Sequence, residues 1–85
     1  MKFDLAKITL TAGVAVELAF TNNDAGIPHN VGIREVGSTG EPLFNGAHLT
    51  GIATIEYGIP ALEAGKSYEF FCEIHPNMKG TIELQ

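Results

Sequence analysis

The stretch Glu69-Phe70-Phe71-Cys72-Glu73-Ile74-His75-Pro76-Asn77-Met78-Lys79-Gly80-Thr81-Ile82-Glu83-Leu84 holds the chain's single cysteine, one of its three histidines and one of its two methionines. Their spacing is Cys-x-x-His-x-x-Met. A thiolate, an imidazole and a thioether on one tight loop form a soft donor set, suited to copper rather than to magnesium or calcium. On the upstream side, Tyr68, Phe70 and Cys72 share one strand parity, so Cys72 ends an inward-facing row. On the downstream side, residues 80–84 read as a closing strand with Ile82 and Leu84 inward. A loop with three donors needs a fourth from elsewhere. The source is His29, in Ile27-Pro28-His29-Asn30-Val31, which shares its parity with Val31 and Ile33 and so ends an inward row of its own.

Outward from these two segments the dominant periodicity is two. Val14, Val16, Leu18 and Phe20 alternate with Ala15, Glu17, Ala19 and Thr21, the pattern of a strand buried on one face. Phe3 and Leu5, then Ile8 and Leu10, predict a first strand with an irregularity near Ala6 and Lys7. Residues 22–26 are a loop by composition, and Pro28 keeps Ile27 extended. Residues 29–35 read as one strand, 37–51 as loop with one short strand around an apolar Leu43-Phe44, and 52–57 as a strand. Leu62-Glu63-Ala64-Gly65-Lys66-Ser67-Tyr68 is similar to a tyrosine corner, in which the phenol bonds back to upstream backbone. With weak helix signals and six to eight short strands, the pattern predicts an all-β sandwich, one domain over residues 1–85.

At this point the chain resembles the cupredoxins, the blue type 1 copper proteins that include plastocyanin and azurin. The resemblance rests on Pro28-His29-Asn30-Val31 and on Tyr68-x-Phe70-x-Cys72-x-x-His75-Pro76-x-Met78-x-Gly80-x-Ile82, and spans residues 14 to 84. With His75 and Met78 three residues apart, the ligand loop is most similar to that of the amicyanins. The resemblance implies a Greek-key sandwich and one copper ion held by His29, Cys72, His75 and, weakly, Met78. It implies that Asn30 ties the two ligand segments together by bonding near Cys72 or Glu73, and that the Pro28 carbonyl lies near the metal but too far to bind. The implied function is one-electron transfer between redox protein partners, without substrate chemistry, by a monomer in the periplasm. Partners are expected to dock transiently at the His75 edge among Ile27, Pro28, Pro76 and Ala47. Cupredoxins are usually exported, and Met1 runs straight into strand-like sequence, so the expectation is a mature domain or a piece of a longer chain.

Blander readings compete with each of these residues. A lone cysteine is often a small core hydrophobe, and methionine a gap filler. Joint spacing with His75 at a strand end is what favours ligation. His48, in a loop rich in Gly, Asn and Thr, reads as a solvated residue rather than a ligand. A cysteine hydrolase needs a separate base and an oxyanion hole, for which no arrangement is visible. Structural zinc prefers several thiolates. A binuclear copper centre needs a second cysteine, and multicopper clusters need His-x-His pairs, both absent from the sequence. Two rival functions stay open: a copper carrier, and the electron-entry domain of a larger copper oxidase or reductase. The net charge of −5 lacks the cationic stripe that nucleic acid requires. No apolar run approaches the ~20 residues of a membrane span.

Overall fold

A computed structural model describes residues 6–38, 40–75 and 77–85. Among the described residues there are nine strands and no helix. They are β1 (Lys7–Leu10), β2 (Val16–Asn22), β3 (Pro28–His29), β4 (Gly32–Glu35), β5 (Phe44–Asn45), β6 (Leu49–Thr50), β7 (Ala53–Ile59), β8 (Tyr68–Phe71) and β9 (Lys79–Leu84). One sheet has the order β1-β9-β8-β4-β5, with β1 parallel to β9 and the other pairs antiparallel. Two further pairs, β2-β7 and β3-β6, are antiparallel ribbons.

The alternation expected for β2 sets its register. Val16, Leu18 and Phe20 stand opposite Ile59, Tyr57 and Ile55, placing six apolar side chains on one face. That face meets Ile33 of β4, Tyr68 and Phe70 of β8, and Ile82 of β9 in one core, with Ile8 and Leu10 of β1 at its margin. The architecture is therefore the predicted all-β sandwich. The phenol of Tyr68 accepts a hydrogen bond from the Glu63 N–H at 3.1 Å, the link expected of the corner motif.

Three boundaries differ from the sequence reading. Residues 29–35 form two strands, because β3 pairs with β6 while β4 pairs with β8 and β5. The chain changes sheets at Asn30 and Val31. Asn30 is wholly buried and bonds to neighbouring loops rather than to a ladder, which alternation cannot foresee. The 37–51 segment contributes β5 and β6 rather than one short strand. Val14 and Ile52 lie outside their expected strands and are 52% and 71% exposed. Phe3 and Leu5 lie outside the described residues.

Candidate metal centre

The thiol of Cys72 is completely buried at the end of β8, and the chain folds back immediately after it. The Cys72 N–H donates to the Met78 carbonyl at 2.9 Å, and the Met78 N–H donates to the His75 carbonyl at 2.8 Å. These two bonds close a tight loop whose ends are Cys72 and Met78. They hold His75 on the same side as the thiol: its Nδ1 lies 3.7 Å from Cys72 Sγ. His29 arrives from β3, with its Nδ1 3.8 Å from the same sulfur. The two imidazole rings are 4.7 Å apart between centroids and tilted by 48°. Donor atoms of His29, Cys72 and His75 all lie within 4.8 Å of one another.

A thiol donates to one of the two facing imidazole nitrogens and accepts only weakly from the other, so hydrogen bonding holds this convergence poorly. A metal ion fits it better. Bonds of about 2.0 Å to nitrogen and about 2.3 Å to sulfur in a trigonal plane separate N from S by about 3.7 Å. The donor chemistry, one thiolate and two imidazoles, also fits a soft ion. Met78 is 4% exposed, and its backbone pairing with Cys72 and His75 brings it into the same loop. His29 is 2% exposed, whereas His75 is half-buried and is thus the histidine that reaches toward solvent.

Outside the donor set, Asn30 joins the two ligand segments. Its Oδ1 accepts from the Glu73 N–H at 2.9 Å, and its Nδ2 donates to the Gly46 carbonyl at 3.0 Å. Sequence reasoning passed over two more residues here. Asp24 Oδ2 accepts from His29 Nε2 at 2.7 Å; with Nε2 protonated, neutral His29 must present its Nδ1 lone pair toward Cys72. Asn22 is 2% exposed and donates to the carbonyls of Ile27 and Leu49, while its Oδ1 accepts from the Asp24 N–H at 2.8 Å. That bond is an Asx turn, and Gly26 with φ 77° completes the reversal that returns the chain to His29. The composition of 22–26 signalled a loop but not its target. Nothing in a strand-parity argument points an exposed aspartate at a buried histidine five residues later.

Of the expected docking residues, Ile27 and Pro28 are half-buried and Ala47 is exposed; Pro76 lies outside the described residues. Ile74, on the ligand loop itself, is 40% exposed. His48 is 42% exposed and bonds to Glu73 Oε1 at 3.0 Å, away from the three converging donors.

Comparison with known proteins agrees with this geometry. The family described as the cupredoxin-like domain matches residues 1–82. Amicyanin from Paracoccus versutus is 37% identical over 85 residues, all of this chain; the chain spans 59% of that relative's length. The crystal structure of amicyanin from the same organism superposes with a TM-score of 0.67 at 33% identity, covering 100% of this chain and 74% of that one. Auracyanin A from Chloroflexus aurantiacus, described as a "blue" copper protein, has the same fold, with a TM-score of 0.83 at 22% identity, covering 99% and 89% of the two chains.

Proposed function

Because the chain belongs to the cupredoxin-like domain family, we propose that it is a type 1 copper electron-transfer protein or domain, with His29, Cys72 and His75 as the strong ligands and Met78 as the weak fourth. The observation that carries this reading is the convergence of two imidazole Nδ1 atoms on one buried sulfur at 3.7 and 3.8 Å. Bound there, copper supplies a Cu(II)/Cu(I) couple that takes up and releases single electrons.

The protein's own contribution is to hold the donors still. Cys72, His75 and Met78 are locked by the two backbone bonds of their loop, and His29 by Asp24 and by its ladder with β6. Ligands so held move little when the charge at their centre changes, which keeps the reorganisation accompanying transfer small. Burial of Cys72 and His29 keeps water from the sulfur. His75 is the opening, and it supports electron exchange at that edge with redox proteins that dock on Ile27, Pro28, Ile74 and Pro76. Such contacts are small and short-lived. The chain performs no substrate chemistry itself and works outside the cytoplasm, in the periplasm, as a monomer. No helix among the described residues is long and apolar enough to cross a membrane.

The test is the visible spectrum of the chain with one equivalent of Cu(II). An intense blue thiolate-to-copper absorption is expected, abolished in Cys72→Ser. A pale product in which Cys72→Ser changes nothing sinks the assignment.

A further inference from the structure

Beside the ligand loop, Glu73, Asn30 and Asn45 close a hydrogen-bonded ring, and His48 joins it at Glu73. The Glu73 N–H donates to Asn30 Oδ1 at 2.9 Å; Asn30 Nδ2 donates to Asn45 Oδ1 at 2.7 Å; Asn45 Nδ2 donates to Glu73 Oε2 at 2.6 Å. The circuit thus begins and ends on Glu73, the residue bonded directly to Cys72. The other carboxylate oxygen, Oε1, accepts from His48 Nε2 at 3.0 Å, which requires that nitrogen to carry its proton.

Both outer members stand on a firm base. Asn45 belongs to β5 and stands opposite Gly32 of β4. The Gly46 N–H donates to the Val31 carbonyl at 2.9 Å, and the Ala47 carbonyl accepts from the Tyr57 hydroxyl at 2.5 Å. Gly46 lies flat on the Tyr57 ring, where any Cβ would come within 2.5 Å of a ring carbon. The 45–48 segment is therefore pinned from below while Asn45 and His48 face Glu73.

We propose that Asn45 and His48 are positioning residues for the copper site, acting through the Glu73 carboxylate to fix the Cys72–Glu73 peptide; the functional part of this rests on the copper reading above. The His48–Glu73 pair is exposed at 42% and 48%, so it adds little to global stability. Its effect is on place. Asn30, wholly buried, holds the Glu73 N–H from inside; Asn45 and His48 hold the same residue from outside. With its N–H and its carboxylate both held, Glu73 moves less, and so does the Cys72 backbone from which the sulfur hangs.

The experiment compares Asn45→Ala, His48→Leu and His48→Gln with the natural chain. In the metal-free protein, amide hydrogen exchange at Glu73 is read by NMR. It is expected to be about tenfold faster in Asn45→Ala and several-fold faster in His48→Leu, with amides of β2 and β7 unchanged. In the Cu(II)-loaded protein, the thiolate absorption and the copper hyperfine splitting should shift in both variants at an unchanged melting temperature. His48→Gln, which keeps a donor, should restore both signals. Should Asn45→Ala fold poorly, His48→Leu, a substitution at an exposed side chain, decides the matter alone. Unchanged Glu73 exchange in both variants overturns the proposal, as does His48→Gln behaving like His48→Leu for the role given to His48. If the natural chain lacks the blue absorption, the copper reading fails, while metal-free exchange still judges the clamp.

Discussion

Asp24 shows how much one half-exposed carboxylate can decide. Its bond to His29 Nε2 sets the tautomer and the ring angle, and so aims Nδ1 at the sulfur 3.8 Å away. Asp24→Ala should leave the fold intact and weaken copper binding by roughly 10–100-fold, the usual cost of losing a partner that orients a ligating histidine. Competition against a chelator measures this; an unchanged affinity would mean that β3 alone orients the ring. Tyr57 acts at the same scale. Burial pushes its hydroxyl pKa above the ordinary 10.0, so the folded chain keeps a phenol proton that the unfolded chain gives up. The unfolded state then binds fewer protons, and stability must fall as pH rises. That contribution is complete below about pH 10 and is lost progressively above it. Urea titrations at pH 8 and pH 11 should show a fall in the natural chain that is smaller in Tyr57→Phe.

Strands here differ in what they do. β2 and β7 give one face to the core and the other to solvent, and none of the three converging donors lies on them. β3 and β8 are short, at two and four residues, and each hands a ligand to the same pole of the sandwich. β8 is held at its other end by the bond between Tyr68 and the Glu63 N–H, on the side away from Cys72. Tyr68→Phe should therefore cost about 1 kcal/mol, one net hydrogen bond, and lower the melting temperature by roughly 4–8 °C in a domain of this size. The copper spectrum should not move. A changed spectrum with unchanged stability would show that the corner acts on the site rather than on the strand.

The molecule as a whole is small, with 85 residues and a principal extent of 38 Å. Chains this short bury a modest share of their surface, so a bound ion forms a sizeable part of their stability. Free copper at about 1,000 times the dissociation constant should add roughly 4 kcal/mol, or on the order of 15–30 °C in melting temperature. Calorimetry across a copper titration should show the midpoint rising with free metal. A midpoint independent of copper would mean that the ion binds folded and unfolded chains alike.

Alternation of apolar residues was enough to establish the sandwich, because side chains on a strand must choose one of two faces and Val16, Leu18 and Phe20 leave one choice. Spacing within one loop likewise made Cys72, His75 and Met78 legible as a donor set, since a thiol, an imidazole and a thioether every third residue form a soft-ligand pattern. His29 needed the resemblance as well, its local sequence being ordinary. What the sequence did not carry were contacts made across it: the break at Asn30, the grip of Asp24 on His29, and the meeting of Asn45 and His48 on the Glu73 carboxylate. Each joins polar residues on separate loops, where no periodicity operates. Their meeting is decided by how the sheets pack and by which buried donors and acceptors must then find partners.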